Sequence, residues 1–421
     1  MLIAAGADVG KAGMDGHTPL LISAEIGHAD VVGMMLIAAG ANVNEGCADM
    51  GRTPLFFAAE NGHLDVVERL IAAGADVSKA CTDPRAGTPL FISAQEGHLD
   101  VVGRLIDAGA DINTGRLDIG VTPLCVAAEE GHLDVVDRLI DAGADVGRAR
   151  TDNGSTPVYI SAQNGHLDVV DRLIDAGANV DTARTDNGAT PLFIAAEHGH
   201  LDVVERLIEA GADINTGRTD NGVTPVYTAA ETGHVYVVER LIEAGADINH
   251  ARTSTGITPV YTAAQSGHLD VVKRLIAAGA DVNKARTDTG GMPLSISAQN
   301  GHLDVVERLI AAGADVNTAR TDTGGTPLSI SAQNGHLDVV DRLIAAGADV
   351  NHARMNTGIM PLFIAARNGH LDVVERLIAA PGIEVNKARP NGNTPLSIAL
   401  ARGLADVAQK LREAGANEPH G

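Results

Sequence analysis

Histidine and aspartate are the residue types in this chain that could hold a metal ion, and their spacing is regular. Of the 16 histidines, 11 follow a glycine in a recurring Gly-His dipeptide, from His28 to His370, and most precede an aspartate by two residues. A zinc ion needs several such donors within about 2.0–2.2 Å. Each copy offers one histidine and one carboxylate, and successive copies are too far apart to converge. We therefore interpret the histidines as structural and predict no metal site.

Other candidates for catalysis are equally repetitive. Cys125 and His132 lie in the same copy, but no distinctive acid would orient them as a nucleophile and its base. The Thr-Asp-Asn-Gly loops resemble part of a calcium loop but lack its further carboxylates and its terminal glutamate. No glycine motif for phosphate binding occurs. An active site would need a cluster that breaks the repetition, so we predict no enzymatic activity and no cofactor.

The elements that must position these residues form a tandem repeat. Of the 16 prolines, 12 occur at one phase of it, from Pro19 to Pro395. The steps from Pro19 to Pro54 and on to Pro89 are 35 residues long, and every later step is 34. A period in this range is typical of architectures that stack one small unit on the next.

The copy around Thr190 predicts two helices joined by a tight turn. Thr190 is a suitable N-cap and Pro191 a suitable first helical residue. Gly199 is expected to end this first helix, because glycine often lies just past a helix. A second helix follows, with an apolar stripe on one side and charges on the other. On that helix, Asp202 and Arg206 have the spacing of a favourable i,i+4 ion pair.

Helix, turn, helix and loop recur with the motifs Thr-Pro-Leu-x-x-Ala-Ala, Gly-His-Leu-Asp-Val-Val and Ala-Gly-Ala-Asp-Val-Asn. This pattern resembles the ankyrin repeat over essentially the whole chain. The resemblance implies an all-α fold, an ankyrin-repeat solenoid of helix-turn-helix-loop units. Two departures stand out. The unit is one residue longer than the family's usual 33, and the family's histidine after Thr-Pro-Leu is replaced throughout, so its role cannot be carried over.

We predict that residues 1–421 form one continuous array. The expected parts are a partial repeat at 1–8 that matches only the end of a second helix, about eleven full repeats at 9–387, and a C-terminal capping repeat at 388–421. The abrupt start favours a fragment of a longer protein. Arg412 and Ala408 replace a recurring isoleucine and valine, as a terminal cap requires. The first copy carries an extra residue within 33–36.

Charge and composition narrow the choice of partner. With 31 basic and 54 acidic residues the net charge is −23, which argues against nucleic acid or an anionic membrane. The charge suits a protein with a basic surface, or it only keeps a long chain in solution. No stretch approaches the roughly 20 apolar residues of a membrane span. Three cysteines are too few for a disulfide framework and no secretory signal is apparent, so we expect free thiols in the cytoplasm and a monomer.

The aromatic residues occupy a particular position. Six of the nine follow Thr-Pro-Leu or Thr-Pro-Val directly, and a seventh, Phe363, follows Met-Pro-Leu at the same position. They could form a stripe of binding hot spots, or they could fill the space left by the missing histidine. Serines at the same position in other copies favour packing. The seven are Phe56, Phe91, Tyr159, Phe193, Tyr227, Tyr261 and Phe363.

The resemblance implies a binding surface on the concave side, made of loop tips and first helices. Carried onto this chain, it includes the residue before Thr-Pro and the pair before Gly-His. Val223 and Ile257, expected to be exposed in adjacent loops, make the seventh and eighth repeats the best patch. Tyr236 replaces the usual aspartate on a second helix and is also expected to be exposed. The candidate partner-binding residues are Tyr159, Phe193, Glu197, His198, Val223, Tyr227, Glu231, Thr232, Ile257, Tyr261 and Gln265.

Arginines recur in the loops, most of them two residues before an aspartate, as in Arg116 with Asp118 and Arg320 with Asp322. They could offer a basic ridge to an acidic partner. They could also form a ladder of salt bridges between neighbouring repeats, in which each exposed pair stabilises little. We favour the ladder.

These patterns predict a non-catalytic scaffold that binds an unidentified protein through the concave surface of loops and first helices. Two alternatives stay open. An elastic or spacer element would use the length of the array, and near-identical repeats favour it. A targeting module would serve a larger protein whose other domains lie outside this chain.

Overall fold

Most repeats begin where a threonine caps a helix that starts at proline, and Met292 and Met360 take the place of the threonine in two of them. The computed structural model describes residues 8–14, 16–355 and 357–417, so the predicted partial repeat at 1–8 lies outside the description apart from Asp8. The Thr190 hydroxyl accepts a hydrogen bond from the Phe193 backbone N–H at 3.2 Å, and Pro191 is the first helical residue. Gly199 then ends the helix at a φ of 79°, in the left-handed region that favours glycine. The predicted cap and stop are confirmed.

The chain divides into two compact units, Met1–Asp213 and Ile214–Gly421. Within each unit, each proline-initiated first helix is followed by a second helix that begins just after Gly-His or its equivalent. The helices of the first unit are α1 (Pro19–Glu25), π1 (Val31–Ile37), α2 (Pro54–Glu60), α3 (Leu64–Ala72), α4 (Pro89–Gln95), α5 (Leu99–Asp107), α6 (Pro123–Glu130), α7 (Leu133–Asp141), α8 (Pro157–Asn164), α9 (Leu167–Asp175), α10 (Pro191–His198) and α11 (Leu201–Glu209).

The second unit repeats the same alternation of first and second helices. Its helices are α12 (Pro225–Thr232), α13 (Val235–Glu243), α14 (Pro259–Ser266), α15 (Leu269–Ala277), α16 (Pro293–Asn300), α17 (Leu303–Ala311), α18 (Pro327–Asn334), α19 (Leu337–Ala345), α20 (Pro361–Asn368), α21 (Leu371–Ile378), α22 (Pro395–Ala401) and α23 (Ala405–Glu413). Among the described residues, every regular element is a helix. The all-α expectation is confirmed.

Small aliphatic side chains hold the stack together. Within each unit, first helices pack against the first helices of neighbouring repeats, and second helices pack against second helices. On α7, Val135, Val136 and Leu139 are almost fully buried, and the same three positions are buried in the other second helices that carry them. Burying such side chains is the main source of stability in a repeat array, because each unit covers the apolar face of the next.

The extra residue of the first copy is absorbed inside its second helix. The segment Val31–Ile37 forms a π-helix in place of the α-helix found in later repeats. A π turn holds one more residue than an α turn. As a result, Val32 and Leu36 on either side of the insertion both remain buried.

Asparagines link the loops of neighbouring repeats. In the second unit, the Asn283 side-chain oxygen accepts from the Asp315 backbone N–H at 2.9 Å, and its amide donates to the Gly313 carbonyl at 3.1 Å. In the first unit, Asn113 accepts from the Asp145 N–H at 3.0 Å. The next position in this series is Gly147, which has no side chain to form the link.

Ion pairs link the second helices. The Arg172 guanidinium on α9 binds Asp137 on α7 at 2.5 Å and Asp141 at 2.7 Å. Arg206 on α11 binds Asp171 and Asp175 on α9 in the same way. The predicted pair of Asp202 with Arg206 is therefore wrong. The arginine reaches across to the preceding repeat, where two carboxylates are available, and the Asp202 carboxylate accepts from the Val203 N–H at 2.8 Å.

Candidate binding surface

The residue pairs that directly precede each Gly-His lie at the ends of the first helices, and we call them the variable row. Glu231, Thr232 and Gln265 in the second unit are exposed, as is His198 in the first unit, whereas Glu197 is half-buried. The row therefore presents different side chains from a repeating framework. Its members are Glu25-Ile26, Glu60-Asn61, Gln95-Glu96, Glu129-Glu130, Gln163-Asn164, Glu197-His198, Glu231-Thr232, Gln265-Ser266, Gln299-Asn300, Gln333-Asn334 and Arg367-Asn368.

The backbone of the row is fixed by the histidine of the following repeat. The His268 Nε2 donates to the Glu231 carbonyl at 3.1 Å, and His302 binds the Gln265 carbonyl at the same distance. Asn300 also donates to the Gln265 carbonyl, at 2.8 Å. From the sequence these histidines were predicted only to be structural. Their partners lie 37 or 38 residues earlier in the chain, so local pattern alone did not reveal this bond.

The glycine before each histidine makes room for this link. A Cβ atom built on Gly233 would lie 2.7 Å from the His268 ring of the next repeat, and one built on Gly267 would lie 2.8 Å from the His302 ring. Both distances are shorter than van der Waals contact. Two adjacent copies therefore form this contact together. The glycine of one copy leaves room for the imidazole ring, and the histidine of the next copy supplies that ring.

The four aromatic candidates are buried. Tyr159, Phe193 and Tyr227 are 2% exposed and Tyr261 is 3% exposed. Arg184 lies over the Tyr159 ring at 5.7 Å, and burial raises the pKa of the Tyr159 phenol. The rings thus pack in the interior, as the favoured interpretation held. Direct contact of these four residues with a partner stays a prediction, and their burial argues against it.

The expectation that Val223 and Ile257 are exposed is wrong. They are 7% and 9% exposed, because the loop turns each side chain inward. A backbone hydrogen bond closes each loop. The Arg218 N–H donates to the Val223 carbonyl at 2.9 Å, and the Arg252 N–H donates to the Ile257 carbonyl at 2.8 Å. Both residues therefore support the loop instead of forming its outer surface.

The family is decided by the extent of the match to a known repeat model. A model described as ankyrin repeats (3 copies) matches six overlapping segments, at residues 1–81, 77–150, 144–218, 216–286, 283–354 and 351–419. The chain belongs to the ankyrin repeat family. No curated protein matches it. Ankyrin repeats are generally protein-interaction modules and are typically non-catalytic.

Two polar side chains of this ankyrin array's variable row are bound within their own helices. The Thr232 hydroxyl donates to the Thr228 carbonyl at 2.9 Å. His198 lies 3.0 Å from the Ile194 carbonyl through Nδ1, and its ring stacks on His200 with a centroid distance of 6.0 Å. These contacts orient the exposed side chains before any partner arrives, which lowers the entropic cost of binding.

Most of the loop arginines form a salt bridge inside their own loop. Arg150 donates to Asp152 through Nε at 3.1 Å and through Nη2 at 2.8 Å, and this bidentate bond holds the pKa of the Asp152 carboxyl below its usual range. Arg286 and Asp288 repeat the geometry. The predicted ladder of bridges between neighbouring repeats is therefore corrected: the bridges exist, but the spacing of two residues lets each pair close within its own loop.

Reactive groups are enclosed in the framework. Cys47, Cys81 and Cys125 are free thiols and all are buried. Burial raises the pKa of Cys81 and of Cys125 to about 12, so both remain protonated at neutral pH. Within the described ranges, no three His, Cys, Asp or Glu side chains come together as metal ligands, and none of the helices there has the length and apolar character needed to cross a bilayer.

Proposed function

We propose that this chain is a non-catalytic scaffold that binds a partner protein through the variable row. The observation that carries the proposal is the contrast between a fixed backbone and varied side chains. At Glu231 and Gln265 the carbonyls are held by histidines of the next repeat, while the side chains are exposed. A rigid backbone with exposed, varied side chains is what specific recognition needs at low entropic cost.

Charge along the row supports a partner with a basic surface. In the first unit the row is rich in glutamate, with Glu129, Glu130 and Glu197 among its members. In the second unit it begins with Glu231, continues through amides and ends with Arg367. Complementary charge speeds association and excludes partners of the wrong sign. The net charge of −23 acts in the same direction.

The buried candidates have an indirect role in this proposal. Tyr227 and Tyr261 are buried residues of α12 and α14, the helices that carry the row, and Val223 and Ile257 are buried in the loops just before these helices. The contact residues of the second unit are then Glu231, Thr232 and Gln265, and those of the first unit are Glu197 and His198. Three free thiols support a reducing compartment such as the cytoplasm.

Affinity capture with matched variants tests the proposal. The double variant Glu231→Ala with Gln265→Ala removes one charge and one amide from the row. A control, Asp338→Ala with Gln409→Ala, removes the same groups from exposed positions on α19 and α23. We expect the recovered amount of one captured protein to fall about tenfold or more with the row variant and to be unchanged with the control. Equal capture by both variants would contradict the proposal.

A further inference from the structure

The second helices carry an arginine whose usual partners have been replaced. In the first unit, Arg172 binds Asp137, 35 residues earlier, through Nε, and Asp141, 31 residues earlier, through Nη2. Arg308 on α17 is the equivalent residue in the second unit. The positions 35 and 31 residues before it are Lys273 and Ala277. A cation and a methyl group therefore stand where two carboxylates bind the arginine elsewhere.

The guanidinium of Arg308 is left with unused binding capacity. Its Nε is shielded from solvent and has no hydrogen-bond partner among the described residues. A buried N–H without an acceptor costs free energy that a carboxylate would recover. The neighbouring cations are partly engaged: Lys273 binds Asp270 at 2.8 Å, and Arg274 binds Glu239 at 3.1 Å.

An open cavity adjoins this arginine. Its volume is about 550 Å³, and Tyr236, Asp270, Lys273, Arg274, Ala277 and Arg308 line it. Tyr236 is 68% exposed and replaces the aspartate of the usual Leu-Asp-Val-Val motif. Two departures from the repeat thus meet in one place: Tyr236 replaces an aspartate, and Lys273 replaces an acidic residue. Ala277, which has counterparts in other copies, supplies no carboxylate beside them.

We infer that this cavity, formed by α13, α15 and α17, binds an acidic segment of a partner protein. A glutamate or aspartate of that segment pairs with the Arg308 guanidinium where it lines the cavity, next to the positive charge of Lys273. Arginine suits this role because its planar fork matches a carboxylate. Tyr236 offers an exposed ring for the adjoining apolar residue of the segment.

Two observations favour an acidic protein segment over a polyanion such as RNA. Carboxylates are the groups that bind the equivalent arginines in this same chain. The net charge of −23 repels a long polyanion, whereas a short acidic segment needs only the local cations. The cavity belongs to the second helices, so the inference does not rest on the variable row.

The substitution Lys273→Glu tests the inference, because it restores the carboxylate that Arg308 lacks. The variant would have Asp270 and a glutamate at position 273. The fold tolerates this pair, because Asp202 and Glu205 occupy the same two positions on α11. Lys284→Glu, at an exposed loop position, makes the same charge change away from the cavity. The probe is a fluorescein-labelled peptide, Ala-Glu-Glu-Leu-Glu-Glu-Ala, with a glutamine version as its uncharged counterpart, and anisotropy at about 0.15 M salt reports binding.

We expect the probe to bind the whole chain and the glutamine version to bind much more weakly. Lys273→Glu should lower the affinity for the probe by about tenfold or more, and Lys284→Glu by less than about twofold. Tyr236→Ala should also weaken the probe, by several-fold. Circular dichroism of each variant confirms that the helices are intact.

Several results would overturn the inference. They are an absence of probe binding to the unaltered chain, equal losses with both lysine variants, and a phosphorylated peptide or an oligonucleotide that binds through Lys273 when the glutamate probe does not. Sedimentation that shows self-association removed by Lys273→Glu would instead assign the cavity to a second copy of this chain. That result would also refute a separate partner.

Discussion

The second helices of the first unit and those around α17 in the second unit carry the same arginine in different surroundings. Arg172 and Arg206 each bind two aspartates of the preceding repeat. Arg308 faces Lys273 and Ala277 at those positions, and its Nε has no partner among the described residues. The helix itself is unchanged, since α17 spans Leu303–Ala311 with Val305, Val306 and Leu309 buried.

The contrast shows which contacts the fold depends on. Buried valines and leucines hold the second helices together in both places, so the charges on the exposed side can change without loss of the helix. Exposed ion pairs stabilise little in comparison. Positions that do not hold the stack are therefore free to vary, and the variable row and the Arg308 cavity are where this chain departs from its own repeat.

The largest expected effect is the loss of stability when a buried aromatic ring is removed, compared with the removal of an exposed one. Tyr159→Ala removes a ring that is 2% exposed and lies under Arg184, and we expect a loss of about 3–5 kcal/mol in the free energy of unfolding. Tyr236→Ala removes an exposed ring and should cost less than about 0.5 kcal/mol. Urea unfolding, with amide hydrogen exchange of α8 to localise the change, measures both. Comparable losses would refute the assignment of Tyr159 to packing and Tyr236 to the surface.

A smaller effect is expected where an asparagine link is removed or added. Asn317 binds the Asp349 N–H at 2.8 Å and the Gly347 carbonyl at 3.3 Å, so Asn317→Gly should lower stability by about 1–2 kcal/mol. Gly147→Asn should raise it by about 0.5–1 kcal/mol, because a Cβ there meets only Asp145 Oδ1, at 3.6 Å. Thermal unfolding of both variants checks the opposite signs. A loss with Gly147→Asn would show that this loop cannot adopt the linked geometry.

The smallest change in stability is expected when the charges of the two compared regions are exchanged. Lys273→Glu supplies Arg308 with a carboxylate, and Asp137→Lys takes one from Arg172. We expect a gain and a loss, respectively, each below about 1 kcal/mol, because the pairs are partly solvent-exposed and screened by salt. Urea midpoints at low and high salt measure them. Shifts of the same sign, or shifts that do not shrink in high salt, would contradict an ion-pair origin.

The sequence predicted what is local to one repeat. The period, the helix at Pro191, its Thr190 cap and its Gly199 stop all follow from residues within a few positions of each other, and the structure confirms them. The family resemblance, the all-helical fold and the exposure of Tyr236 were also predicted correctly. An extra residue in the first copy was visible, although its accommodation as a π-helix was not.

Interactions between repeats could not be predicted from the local pattern. Arg206 was paired with Asp202 on its own helix, but its partners lie 31 and 35 residues away. The Gly-His histidines bind carbonyls of the preceding repeat, and Val223 and Ile257 turn inward where exposure was expected. In each case a periodic sequence offers the same residue types at several distances, and only the stacking of one repeat on the next selects among them.

Site-specific photo-crosslinking tests most directly whether the variable row is the surface that meets the partner. Benzoylphenylalanine is placed at position 232 in the row, in place of Thr232, and in a second protein at position 338 on α19, in place of Asp338; both positions are exposed. Our account predicts that the row position crosslinks to the captured partner and that position 338 does not. Crosslinking from position 338 alone would contradict the account, because the variable row would then not be the surface that meets the captured partner.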